Sequence, residues 1–343
     1  MVDNILINVK EFNNCVSKIN KWYNKQTKIL NIITNPYNTT LIFLNIIKLL
    51  IEENKKILYV WNGEQCNEEI LRELKKEKSS FKYSCNKELD GSEDLVFINS
   101  KNIKNIRNYY DICIIDDISA YSTISKEEIR SGIEYLYIYA KRIISYSVDK
   151  VINMGNSFEI GDLIRKKVFA EPRIITTRVK LDEDIPYTLY DYLMWFKNNK
   201  RKVIIYVPTE DRINKVYNYY TKEIKIKDVN VIKFLKEDST REIDSTYINK
   251  NKSTFIITNY IREYSMKTEG IDIVVLFADE AFYNYKKILY FCADVGNNTK
   301  DKSIGEVLLV ARDISKDMDL AKDITRRYNK NIWENGLLKY WFH

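Results

Sequence analysis

Histidine is almost missing from this sequence: the only one is the last residue, His343, which leaves histidine acid–base chemistry to that terminal position alone. The five cysteines (Cys15, Cys66, Cys85, Cys113 and Cys292) are widely spaced and form no Cys-x-x-Cys pair. That pattern argues against a zinc site or a disulfide framework. No run approaches the ~20 apolar residues of a membrane span, and Met1-Val2-Asp3-Asn4 does not begin a basic, then apolar, export signal. A soluble, cytoplasmic protein is the expectation.

What remains is globular. Apolar residues make up 45% of the chain and charged residues 30%, and 343 residues suffice for two domains, each with its own core. Lys and Arg number 55 against 48 Asp and Glu, a net charge of +7 that tolerates a polyanion without demanding one. Lys, Asn, Ile and Tyr are abundant throughout, as an A/T-rich genome would give. Neither the basicity nor the 26 tyrosines therefore counts as a nucleic-acid signal.

The most informative stretch is Tyr110-Asp111-Ile112-Cys113-Ile114-Ile115-Asp116-Asp117-Ile118-Ser119-Ala120. An apolar run ends in two adjacent carboxylates, which suits a buried strand whose acidic tip enters a cleft. In nucleotide-driven motors the first such acid holds Mg²⁺ and the second positions the attacking water. The same pattern also occurs as a solvated strand-to-helix loop.

Helical spacing of Phe12, Val16, Ile19, Trp22 and Tyr23 predicts a helix over 11–26, followed by a strand at 28–33. Next come Thr34-Asn35-Pro36-Tyr37-Asn38-Thr39-Thr40 and an apolar helix through Phe43, Ile46, Ile47, Leu50 and Ile51. Strand, loop and helix in this order is the layout of a phosphate-binding loop. The residues are wrong for it, because a phosphate cradle needs glycines and a lysine. Pro36 has no N–H, Tyr37 resists positive φ, and Asn38 stands where the lysine would be. Only Thr39, or Thr40 in a register shifted by one, offers a hydroxyl to a metal.

Further strands are expected at 56–61, 94–99, 110–116 and 142–147, with helices near 67–78 and 125–140, the latter opened by a Ser125/Glu128 capping box. The pattern loosens from Phe169 to Pro186, around Pro172 and Asp182-Glu183-Asp184. A second series follows: a helix at 188–198, strands at 202–207, 229–234, 253–258, 271–277 and 304–311, and helices near 284–291 and 316–328. This rhythm predicts an α/β protein with one domain over 1–168, a linker at 169–187, a second domain over 188–330, and a tail at 331–343 docked as a helix.

In this order the motifs resemble those of superfamily 2 helicases, most closely the ComFA-type late-competence ATPases of DNA uptake. The resemblance rests on Ile114-Ile115-Asp116-Asp117-Ile118-Ser119, on Ile205-Tyr206-Val207-Pro208-Thr209, and on the run from Thr254 to Val310, including Gly270-Ile271-Asp272-Ile273-Val274-Val275 and Val295-Gly296. It implies two RecA-like domains in tandem, each a mostly parallel sheet flanked by helices. It also implies a nucleotide site at Asn38, Thr39, Asp294 and Asn297, motif II acids at Asp116 and Asp117, and strand contacts at Asn99, Ser100, Thr209 and Thr258.

The departures weigh more than the match. The family's amino-terminal zinc region is absent, Asp117 replaces a glutamate, and Asp294 and Asn297 stand where arginines should reach the phosphates. Losing an arginine finger alone costs roughly 10³–10⁵ in phosphoryl-transfer rate. The segment Trp61-Asn62-Gly63-Glu64 also lacks the arginine expected of motif Ia. The expected protein is a helicase-like pseudoenzyme with no nucleotide cofactor, Mg-ATP entering only if the remnant site still binds it. Single-stranded DNA and DNA-uptake proteins are its expected partners. An active ATP-driven translocase and a scaffold without nucleic acid are the alternatives.

Overall fold

The computed structural model describes residues 9–25, 27–36, 38–63, 65–76, 80–86, 91–119, 124–161, 163, 168–235, 252–261, 271–295 and 305–334. The chain divides between residues 166 and 167 into two compact units. In the first, α1 (Val9–Asn24) precedes β1 (Ile29–Ile33), α2 (Leu44–Glu52), β2 (Ile57–Trp61), α3 (Glu68–Lys76), β3 (Tyr83–Cys85), β4 (Leu95–Asn99), β5 (Tyr110–Asp116), α4 (Lys126–Leu136), β6 (Ala140–Ser147) and β7 (Asn156–Glu159). The strands form one sheet in the order β3-β4-β2-β5-β6-β1-β7. Every neighbouring pair is parallel.

A parallel sheet buries both faces under its crossover helices. The near-continuous apolar runs follow from that: Ile57, Leu58, Tyr59 and Val60 of β2, and Ile112 to Ile115 of β5, are all buried. The expected Ser125/Glu128 capping box opens α4 as a pair of reciprocal bonds. Gly155, at φ +77, lets the chain turn tightly before β7, where an added Cβ would lie 2.2 Å from the Ile29 carbonyl oxygen.

The second unit contains β8 (Arg173–Thr176), α5 (Tyr187–Asn198), β9 (Lys202–Tyr206), α6 (Glu210–Asn218), β10 (Val229–Phe234), β11 (Ser253–Thr258), β12 (Ile271–Leu276), α7 (Tyr285–Val295), β13 (Val307–Ala311) and α8 (Lys316–Glu334). Its sheet runs β10-β11-β9-β12-β13-β8 and is again parallel. The α/β class and the two mostly parallel sheets match the expectation. Among the described residues no helix is long and apolar enough to cross a membrane.

Several expectations need correction. Residues 169–187 are not a free linker, because β8 lies within them, pairs with β13, and is extended by Thr177 N–H donating to the Ala311 carbonyl. Residues 331–334 continue α8, and the rest of the tail, 335–343, lies outside the described residues. Three strands went unforeseen, β3, β7 and β8, and all are sheet edges of three or four residues. An edge strand can be short and polar, as Asn156-Ser157-Phe158-Glu159 is, and then carries no apolar run to read.

The cysteine reading also changes. Cys66, just before α3, and Cys85, at the end of β3, are joined in a disulfide with Cα atoms 5.3 Å apart and a sequence separation of 19. Pairing of β3 onto β4 brings them together, which spacing alone does not reveal. Closing a loop of this size is worth about 3 kcal/mol through the unfolded state. Reductant should therefore lower the unfolding midpoint of the parent chain and leave a Cys66→Ser/Cys85→Ser chain unaffected. A parent midpoint indifferent to reductant would contradict this.

Candidate functional site

At the carboxyl end of β1 the chain enters the loop that sequence reading singled out. Thr34 N–H donates to the Ser147 carbonyl at 3.0 Å and carries the sheet one residue further. Asn38, where a phosphate loop would have lysine, is buried and fully engaged. Its amide nitrogen donates to Thr34 Oγ1 at 2.8 Å and to the Gly161 carbonyl at 2.9 Å. Its amide oxygen accepts from Thr39 N–H at 2.9 Å and from Leu163 N–H at 3.2 Å. The side chain fastens the loop to the segment that follows β7.

The donors of the loop converge on one carboxylate of the chain itself. Thr39 Oγ1 donates to Glu69 Oε1 at 3.0 Å, while Thr40 donates to Glu69 Oε2 from its hydroxyl at 2.7 Å and its backbone N–H at 3.2 Å. Glu69 sits on the first turn of α3, whose start is set by Asn67 accepting from Ile70 N–H at 3.2 Å and whose Ile70 and Leu74 are fully buried. A cluster of hydroxyl and N–H donors is what an anion requires, and here that anion is Glu69.

The tip of β5 is equally self-contained. Asp116 Oδ1 accepts from Ile118 N–H at 2.9 Å and Ser119 N–H at 3.0 Å. Its Oδ2 accepts from Tyr59 O–H at 2.6 Å and from the Ser119 hydroxyl. Burial raises the Asp116 carboxyl above the ordinary carboxylate range, the Ser119, Tyr59, Ile118 and Ser119 bonds opposing it. The Tyr59 hydroxyl is pushed well up, by burial first and then by the charge of Asp116. Tyr146, on β6, donates its hydroxyl to the Thr39 carbonyl at 3.0 Å, and its backbone carbonyl accepts from Asp117 N–H at 2.9 Å. Tyr146 thus links the loop directly to the acidic tip of β5.

A magnesium-bound triphosphate is the group that the helicase resemblance implies here. The loop presents it with no lysine, with Thr39 and Thr40 already bonded to Glu69, and with both oxygens of Asp116 accepting from the protein. The residues as arranged do not fit that group.

The remaining expected residues are placed as follows. Asn99 accepts from Lys101 N–H at 3.0 Å and donates to the Asn62 carbonyl at 3.1 Å, and Ser100 Oγ donates to Asn62 Oδ1 at 2.7 Å. In the second unit Thr209 caps α6 by accepting from Arg212 N–H at 3.5 Å, and Thr258 Oγ1 accepts from Tyr260 N–H at 2.9 Å. Asp294 lies on α7 near Tyr206, whose hydroxyl is raised by burial and then by that carboxylate. Asn297 and Tyr37 fall outside the described residues. Sequence reading missed Glu69, Tyr59 and Tyr146. Nothing marks Glu69 among the charged residues of an amphipathic helix, and the two tyrosines read only as strand residues.

Compared with known proteins, the sequence matches no family model and no curated protein. The fold is similar to that of a solved structure, the DExH-box NTPase HrpB of E. coli, with a TM-score of 0.53 at 10% identity over 94% of this chain. This chain spans 43% of that protein's length. The two parallel-sheet units therefore have the fold of two RecA-like domains.

The geometry fixes two outcomes. Glu69→Ala leaves the Thr40 N–H, in a residue with no exposure, without an acceptor, and should destabilise the chain by about 1–3 kcal/mol in chemical unfolding. Glu69→Gln, which keeps an acceptor, should cost less. Asp116→Asn tests the raised carboxyl: the parent loses its advantage as pH rises through the native value of Asp116, whereas the amide has nothing to ionise. The stability of the variant relative to the parent should thus climb with pH, and a constant difference from pH 4 to 8 would show Asp116 ionised throughout.

Proposed function

We propose that this chain is a helicase-like protein that binds single-stranded nucleic acid without turning over nucleotide, of the DNA-uptake kind its motif order resembles. Mg-ATP is not expected to be its cofactor. One observation carries the reading: the Glu69 carboxylate holds the Thr39 and Thr40 donors that a nucleotide phosphate would need. HrpB is described as an NTPase, and this chain has a similar fold.

A second reading, an assembly surface for DNA-uptake proteins without nucleic acid, draws support from Asn99, Ser100, Thr209 and Thr258. Each already makes a local turn or cap bond.

Fluorescence anisotropy with labelled single-stranded DNA over a salt series, beside an ATPase assay, tests both. The expected result is sequence-tolerant binding at ~10⁻⁴–10⁻⁶ M that weakens along a shallow salt slope. ATP should leave it unchanged, and hydrolysis should be absent in the parent and in Asn38→Lys, whose ammonium would enter a site only 2% exposed. No binding at low salt moves the assembly surface to first place. Robust hydrolysis, or a tenfold effect of ATP on DNA affinity, would restore the motor reading.

A further inference from the structure

Strand β8 ends the second sheet at one edge: it pairs with β13 and, among the described residues, has no strand on its other side. Thr177 N–H donates to the Ala311 carbonyl, and in a parallel ladder alternate residues bond to the same neighbour. Arg173 and Ile175 therefore share that side with Thr177, while Ile174 and Thr176 turn their N–H and carbonyl groups to the open edge. Ile174 is half-buried and Thr176 exposed. An unpaired edge of this kind is a template for an added strand. Beside it lies a cavity of about 680 Å³, lined by Ile174 and Ile175 and flanked by Thr188 and Tyr192 of α5 and Lys322 of α8.

We propose that the β8 edge takes an extended peptide segment of a partner protein, added to the sheet as a further strand. Backbone bonds to Ile174 and Thr176 would hold the segment whatever its sequence, and its side chains would decide the choice of partner. Charge sets that choice. Arg173 is paired with Glu306 at 2.8 Å and Arg326 with Glu171 at 2.6 Å, whereas Lys322 pairs with no carboxylate among the described residues. The segment is therefore acidic where it passes Lys322, and apolar or β-branched where it meets Ile175 and Tyr192. A second copy of this chain is the poorer occupant, because its own β8 lies in the same groove and would bring Arg173 and Lys322 against their counterparts.

Such a site would work whether or not the chain binds nucleic acid, so its test is separate from the DNA titration. Phage-displayed random decapeptides are selected on the immobilised whole chain, and the enriched peptides are titrated against the parent, Thr176→Pro and Lys322→Glu. The β8–β13 ladder does not use the Thr176 N–H, so proline there removes a bond to the added strand and none within the sheet. Unfolding midpoints check that both variants keep the fold. The enriched peptides should carry an acid within an alternating pattern. Thr176→Pro should weaken them by roughly tenfold or more, and selection on Lys322→Glu should exchange the acid for a basic residue. No enrichment, or peptides that bind all three chains equally, overturns the proposal. If Thr176→Pro does not fold, Lys322→Glu decides alone: a reversed charge preference supports the site and an unchanged one overturns it. A parent dimer in sedimentation that Thr176→Pro disperses would make a second copy the occupant and overturn the peptide.

Discussion

Parallel pairing throughout both sheets collects the carboxyl ends of the strands of each unit on one edge, and with them the polar side chains that the strand interiors cannot hold. There, partly shielded from water, every donor needs an acceptor. In the first unit much of that demand is met internally, by the loop after β1 and the tip of β5. Thr34, Asn38 and Thr39 follow β1 and are bonded in series to Tyr146 of β6, while Asp116, at the end of β5, is held by Tyr59 of β2. The loop after β1 is thus held less by turn chemistry than by side chains from its neighbours. A network of this kind is stable while complete and costly to interrupt.

This explains how a nucleotide-type layout can persist without nucleotide-type residues. A glycine-rich loop leaves its N–H groups bare and depends on a ligand to satisfy them. Here Asn38 and Glu69 take that place, one by fastening the loop to residues 161 and 163, the other by supplying the negative charge. Each substitution makes sense only with the other. An asparagine in place of lysine removes the cation, and a glutamate from α3 stands in for the anion.

Much of the fold was legible because long apolar runs and helical spacing are local. Strands β1, β2, β4, β5 and β6, and every helix of the first unit, fall where periodicity puts them, and Ser125 with Glu128 marked its helix start to the residue. The edges were not legible, since β3, β7 and β8 owe their extended form to a neighbouring strand and not to their own composition. The same division holds at the candidate site. Asp116, Asp117, Asn38 and Thr39 could be named from motif order, but their partners lie far along the chain: Glu69 is 30 residues from Thr39, and Tyr59 is 57 from Asp116. Spacing cannot report bonds that only the closed sheet creates.

A carboxylate and a phosphate compete for the same donors, and the terms of that competition favour the carboxylate. Phosphate carries more charge and would bind the Thr39 and Thr40 groups more strongly if they were bare. Glu69, however, is delivered by a helix anchored through Ile70 and Leu74, so its effective concentration exceeds the ~mM typical of a flexible tether. Moving it aside would not end the opposition. A displaced Glu69 would stay close to the incoming polyanion, and two unit charges roughly 4 Å apart repel by about 4 kcal/mol at an effective dielectric of 20. Asn38 stands where a lysine would offset such repulsion, and Asp116 and Asp117 at the end of β5 offer no cation in its place. On the proposed reading, an incoming nucleotide would therefore meet opposition from two elements at once, the loop and α3.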